Sequence, residues 1–429
     1  MLFDLLFDVD GDGRLDLFIG GAAFSHDLRE ARLFLGDGKG SFRPGSDTGI
    51  SACDSPVTSV SAADYDLDGD LDLVTTHWIN APGTRIFHNS RGTFADGTER
   101  AGLASSRRAL RGSLAASFID LDDDVFPELL VAVDFRDSAS FANERGILSW
   151  LEDNRLTDHS GMGTAFADFD GDLRIDFFVT ATLIPDTCPM CDGNHLYQNA
   201  GSRQLVDVTD AAGVRDGGWG WAACAADLDL DGDSDLLHTA GQVSYASGEA
   251  GLVAPFAEDR LRVFLNDGRG SFERADEELE LIDVDQGRGV VCFDYDRDGD
   301  IDVFVQNHDK PSRLWRNDLG ERHSLSVALQ MAGANSRAIG ARIWVRTGSR
   351  WQVRDIRAGT NYASHDPAEA HFGLDTSTQV DELWVRWPGA DASMTKLRNL
   401  PVDHLIVVEH ASANVVAGAR PPNASAPNE

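Results

Sequence analysis

Four carboxylates in nine residues, Asp64, Asp66, Asp68 and Asp72 of the run DYDLDGDLD, stand at positions 1, 3, 5 and 9 around a glycine, Gly69, at position 6. This spacing suits a hard divalent cation, which takes about six to eight oxygens at roughly 2.3–2.6 Å from carboxylates and carbonyls around one tight turn. Gly69 permits the positive φ of the bend, position 7 offers its carbonyl, and Asp72 closes the shell from the start of the next strand. A helical calcium hand ends instead on a glutamate at position 12. Here the ninth residue is the acid and leads into Leu73, Val74, Thr75 and Thr76, a β-prone run, so the loop joins two strands.

The pattern recurs. Asp8, Asp10, Asp12 and Asp16 fit it with Gly13, as do Asp227, Asp229, Asp231 and Asp235 with Gly232, and Asp294, Asp296, Asp298 and Asp302 with Gly299. Two copies are weaker sites: Asp168, Asp170, Asp172 and Asp176 place Leu173 at the bend, and Asp120, Asp122, Asp124 and Glu128 place Val125 there with Pro127 close by. Asp and Gly clustered in a hairpin turn would explain one copy. Six copies in one register predict Ca2+ as the cofactor, up to six ions per chain.

The elements that must position these loops follow from the repeat. The loops begin at residues 8, 64, 120, 168, 227 and 294, a spacing that calls for a propeller, a solenoid or an array. An apolar strand enters each loop (Ser59 to Ala63, Gly163 to Ala167, Gly289 to Phe293) and a second leaves it (Leu71 to Thr75, Ile175 to Thr180, Ile301 to Gln306). A third follows, as in Arg85 to His88 and Leu261 to Leu265, and then a Gly and Asn turn such as NDGRGSF, which favours a hairpin into a short fourth. Four strands per repeat make one blade, and a closed ring covers the edges a lone blade would expose. The fold class is all-β: a propeller of six or seven four-stranded blades. A seventh blade would come from residues before Met1 or from the long insert Gly241 to Glu258.

From His323 the pattern changes. Ile343, Val345, Trp351, Val353, Leu383, Val385 and Trp387 alternate with polar or basic residues, which predicts a small antiparallel β domain with one packed face. It is rich in base, with Arg337, Arg342, Arg346, Arg350, Arg354, Arg357 and Arg386 set against an acidic propeller. That asymmetry suggests docking between the domains or a local anion site; solvated strand faces are the plain alternative. The organisation is therefore 1–318 propeller, 319–410 β domain and 411–429 a disordered tail of Ala, Pro, Asn and Gly that carries a sequon at Asn423.

Composition narrows the function. The 71 acids against 37 bases give a net charge of −34, and no clustered Lys and Arg offers a phosphate-binding surface, which disfavours nucleic acid as a partner. No apolar run is long enough to span a membrane. Met1 to Phe7 lacks the basic start of a signal peptide. Calcium loops of this kind nonetheless fit an extracellular or periplasmic location, where the ion is plentiful. Cys224 and Cys292, in the apolar strands WAAC and VVC, read as buried free thiols. Cys188 and Cys191 form a CPMC for which a local disulfide fits; zinc would need further ligands, His195 being one candidate.

The Asp loop, the apolar strand after it and the NDGxGxF turn resemble the FG-GAP or VCBS repeat, as in the integrin α-chain propeller, over about residues 1 to 318. The later order SLSVAL, ANSRAIGARIWVR, HFGLD and VDELWVRWPGA resembles the ASPIC/UnbV domain. The whole is similar to the cartilage acidic protein 1-like family and its bacterial relatives.

Motifs for catalysis are missing: the sequence has no HExxH, GxSxG, phosphate-cradling or dinucleotide fingerprint. His371 in HFGL reads as a core or turn histidine, and Trp219 and Trp221 as stacking residues between blades. His77, His88, His195 and His238 lie near strand ends and could meet at one propeller face. The first reading is a non-enzymatic, calcium-binding propeller that presents a surface to a protein or glycan ligand. The alternative is a metal-dependent propeller enzyme with its site in the central channel, or an accessory protein in a biosynthetic pathway.

Overall fold

The computed structural model describes residues 3–419 apart from 21–30, 46–47, 51–56, 79–82, 107–109, 152–155, 186, 187, 189, 243–253, 320, 321 and 411–414. Six antiparallel sheets succeed one another along the chain, each a blade with its strands in chain order from the inside outwards. Blade 1 runs from strand Phe3–Phe7 to Phe42–Pro44, blade 2 from Ser59–Ala63 to Thr93–Asp96, and blade 3 from Ser113–Ile119 to Leu148–Trp150. Blade 4 runs from Thr164–Ala167 to Leu205–Asp207, blade 5 from Gly220–Ala226 to Phe272–Arg274, and blade 6 from Gly287–Phe293 to Arg313–Trp315. Blade 6 has three strands among the described residues rather than four, because after Trp315 the chain departs towards the C-terminal domain. Most of the insert at 241–258 lies outside the described residues.

Small side chains dominate the inner strands, as in SVSAA, TAFA and GWAACAA. They let the strands crowd round the axis while the larger Phe87, Phe141, Phe177, Phe178 and Phe264 fill the spaces further out. Adjacent inner strands of blades 5 and 6 bring Cys224 and Cys292 to a Cα separation of 6.2 Å, and the two are joined as a disulfide. This corrects the expectation of free thiols: each cysteine sits just before its Asp loop, so neighbouring blades place them side by side. Cys188 and Cys191 are also bonded to each other, which leaves neither sulfur for zinc.

The C-terminal domain is a sandwich of two four-stranded sheets. Ile343, Val345, Leu383 and Val385 from one face Leu325, Val327, Phe372 and Ile406 from the other in one core, and that core runs on into blades 1 and 2. All its pairings are antiparallel save one, His323–Gln330 with His404–Glu409, which lie far enough apart in sequence to run in parallel. The tail expected to be disordered is partly a strand: Val415–Ala419 pairs with His404–Glu409. Residues 411–414 and 420–429, with Asn423, lie outside the described residues.

Between strands Arg350–Asp355 and Glu369–Asp375 the C-terminal domain sends a segment into the propeller hub, where it bonds to the inner strand of every blade. In blade 1, Leu6 N–H donates to His365 Nε2. In blade 2, Ala62 N–H donates to Ala358 O at 2.8 Å and Ser59 Oγ to Asn361 O at 2.8 Å. Ser117 Oγ of blade 3 donates to Thr360 O at 3.0 Å. Asn361 Oδ1 accepts from Thr164 N–H of blade 4 and from Ala223 N–H of blade 5, at 3.2 and 3.1 Å. In blade 6, Val290 N–H and Cys292 N–H donate to Ser364 Oγ and Asp366 Oδ1. Gly359, at φ +78°, is required by this close approach, since a Cβ there would stand 2.0 Å from Val60 O.

Candidate metal-binding loops

Each Asp loop connects the first two strands of its blade, and the ninth-position acid is the first residue of the second strand in all six. Position 1 accepts the position 6 N–H throughout: Gly13 to Asp8, Gly69 to Asp64, Val125 to Asp120, Leu173 to Asp168, Gly232 to Asp227 and Gly299 to Asp294, at 2.8–3.2 Å. Leu173 and Val125 adopt the same left-handed bend, at φ 69° and 71°, so loops 3 and 4 keep the geometry that glycine gives the others.

Ligand oxygens of the first, third and ninth positions converge. Asp8, Asp10 and Asp16 bring theirs within 4.8 Å of one another, as do Asp64, Asp66 and Asp72; Asp120, Asp122 and Glu128; and Asp168, Asp170 and Asp176. The fifth-position acid is used differently, for its Oδ1 accepts the position 7 N–H, as from Arg14 to Asp12, Asp70 to Asp68, Phe126 to Asp124, Arg174 to Asp172, Asp233 to Asp231 and Asp300 to Asp298. It braces the turn at the rim.

These residues fit a cation. Asp64 Oδ1, Asp66 Oδ1, Asp72 Oδ2, Asp227 Oδ1 and Asp296 Oδ1 are buried with no hydrogen-bond partner. Burial also raises the carboxyl pKa values, to about 6 for Asp16 and Asp168, about 7 for Asp64, Asp227 and Asp302, about 8 for Glu128 and Asp176 and about 9 for Asp72. Burial thus makes these carboxyls bind protons more readily, and a cation would compete with the protons for the same oxygens.

Two parts of this site differ from what the sequence suggested, the first being that of the four histidines expected to meet at one face only one reaches a loop. His88 lies beside loop 2, Nδ1 3.1 Å from Asp72 Oδ1 and Nε2 3.6 Å from Asp68 Oδ2. The other three histidines sit apart from it: His77 bonds Thr75, His195 stacks on Tyr197, and His238 is held by Asn194, with its pKa pushed down to about 3 by burial. The second part is a set of asparagines. Asn89 Nδ2 donates to Leu71 O in its own loop and to Val9 O in the loop of the preceding blade, at 3.0 and 3.1 Å. Asn143, Asn199, Asn266 and Asn317 repeat this, reaching Tyr65 O, Leu121 O, Phe169 O and Leu228 O at 2.8–2.9 Å. The same residues donate their backbone N–H groups to the ninth-position acid of their own blade. Asparagine here ties loop to loop rather than merely tolerating a turn.

The C-terminal domain docks on this loop face. Arg342 and Arg386 bind Asp123 and Asp120 of loop 3, Arg350 binds Asp233 of loop 5, and Arg297 of loop 6 meets Glu369. His371 Nε2 donates to Gly299 O at 2.9 Å, and Arg357 Nη2 to Phe166 O at 2.8 Å. Arg346 pairs instead within its own domain, with Asp381 and Glu382. Trp221 packs on Tyr362 of the hub segment with Arg288 over its ring, and Trp219 packs edge-on to Phe256.

Blades of this construction, each marked by an Asp loop, define a propeller of repeats. A family model for the FG-GAP-like repeat matches residues 8–75, 168–238 and 252–336, and one for ASPIC and UnbV matches 331–415. The chain belongs to the FG-GAP-like repeat family and carries an ASPIC and UnbV domain at its C-terminal end. No curated protein matches it. Among solved structures it is similar to an arginine mutant of AofleA from Arthrobotrys oligospora, with 11% identity and a TM-score of 0.36 over 64% of this chain and 71% of that one. BBS1N in complex with ARL6DN aligns at 12% and 0.36 over 74% and 92%, and the exotype rhamnogalacturonan lyase YesX at 14% and 0.32 over 85% and 72%. Among the described residues no helix is long and apolar enough to cross a membrane.

Proposed function

We propose that the chain is a calcium-stabilised, non-enzymatic interaction module that presents its outer surfaces to a protein or glycan ligand. The observation that carries calcium is the set of buried, unpartnered carboxylate oxygens turned into the loops, above all Asp64 Oδ1, Asp66 Oδ1 and Asp72 Oδ2. Donor sets made of carboxylate oxygens on a tight turn, with His88 the one nitrogen beside loop 2, suit Ca2+ better than a softer ion. The protein would hold it through positions 1, 3 and 9, and the ion would offset the mutual repulsion of those acids.

The filled hub supports binding over catalysis, because the channel in which a propeller enzyme would place its site is occupied by the chain's own segment around Asn361. Two disulfides fit an oxidising compartment, which agrees with export to a calcium-rich medium. The test is thermal unfolding with excess Ca2+ and with excess EDTA. Calcium should raise the midpoint by many degrees, and identical curves in the two buffers would remove the ion from this reading.

A further inference from the structure

Loop 3 differs from the others in what lies over its acids. In blades 2, 3 and 5 the turn after the third strand sets a glycine against the third-position acid of the preceding loop. A Cβ added at Gly92, Gly146 or Gly270 would stand 3.1, 2.6 or 3.4 Å from the Cβ of Asp10, Asp66 or Asp170. In the corresponding turn of blade 4 the chain has Arg203, at φ 65°, and its side chain runs over loop 3.

The Nε of Arg203 lies 2.9 Å from Asp122 Oδ2 and 2.8 Å from Glu128 Oε1, and Nη2 lies 3.0 Å from Asp124 Oδ2. Those are the third, ninth and fifth acids of the loop. The first, Asp120, is held by Arg386 of the C-terminal domain. Each of the four carboxylates thus has a guanidinium partner. By contrast Arg14, Arg100 and Arg174 pair with Asp12, Asp66 and Asp172 from exposed positions, at 50, 57 and 41% exposure against 16% for Arg203. A planar guanidinium spreads one positive charge over a fork of donors that matches several carboxylates at once.

We infer that loop 3 takes no divalent ion: Arg203, delivered by blade 4, stands in the cation's place and makes this blade junction independent of calcium. The inference rests on the calcium reading of the other loops. Asp120 Oδ1 and Asp122 Oδ1 still lack hydrogen-bond partners, so the rival arrangement, in which Ca2+ displaces Arg203, has a definite form.

Counting bound Ca2+ per full chain, by equilibrium dialysis and elemental analysis, separates the two. Asp122→Asn should leave the count unchanged while Asp66→Asn lowers it by one ion. Arg203→Gly, which restores the glycine of the other turns, should raise it by one. A loss of one ion on Asp122→Asn would overturn the inference and leave the calcium reading intact, and an unchanged count in folded Arg203→Gly would overturn the role given to Arg203. A wild-type chain that binds no Ca2+ at all would overturn the calcium reading, and this inference with it.

Discussion

Asn143 Nδ2 donates to Tyr65 O of the preceding blade at 2.8 Å and to Pro127 O of its own loop at 2.9 Å, so one side-chain amide joins two Asp loops. Replacing it by alanine leaves two carbonyls without their donor and releases the blade junction. Asn143→Ala should cost about 2 kcal/mol or more, read as a lowered denaturant midpoint. A midpoint equal to wild type would mean that water replaces the amide at no cost.

Loop 2 and loop 3 should respond differently to the loss of an acid. Asp66→Ala should erase a large part of the stability that calcium confers, whereas Asp122→Ala should leave that calcium-dependent part in place. The check is the difference between melting temperatures with Ca2+ and with EDTA for each variant. Equal losses in that difference would contradict the ranking.

Calcium binding should strengthen with pH. A protonated carboxyl is no ligand, and in the ion-free fold burial holds Asp64 near 7 and Asp72 near 9 against an ordinary value of 3.8. Raising the pH from 6 to 9 therefore removes the competing protons, by up to about tenfold in affinity per pH unit for each proton displaced. The sign reverses for the ion-free protein: its folded state binds protons more tightly than its unfolded state, so its stability falls as pH rises from about 4 through these values. Calorimetric titration at several pH values tests the first statement and unfolding in EDTA the second. Flat profiles in both would contradict them.

Joining the inner strands of blades 5 and 6, Cys224–Cys292 closes a loop of 68 residues. The double change to serine should lower stability by about 2–4 kcal/mol. Reductant should lower the wild-type midpoint by at least that much, and lower it less in the double variant, which keeps only Cys188–Cys191.

Much of the fold was legible because the loop ties its chemistry to its local geometry. Asp64 to Asp72 must turn on itself to gather its acids, and the β-prone run after it can only be a strand, so six copies announce six blades. The disulfide was also within reach, since Cys224 and Cys292 hold similar places before their loops in successive repeats; reading them one at a time hid the pairing. Asn89 and its counterparts were visible as residues but were read as turn formers, because their partners are carbonyls of another blade and leave no pattern in sequence. The hub segment was least legible. Asn361 and Gly359 serve backbone groups hundreds of residues away, and nothing local marks them as more than a connection between strands.

That segment sets an order of events during synthesis. Ser59 of blade 2 bonds to Asn361, 302 residues later in the chain. At about 5–20 residues per second the ribosome needs roughly 15–60 s to supply that partner. Until then the inner-strand groups that bond to this segment lack that partner. Closure of the hub around Asn361 therefore depends on residues made long after the first blades, a long-range contact of the kind that slows folding.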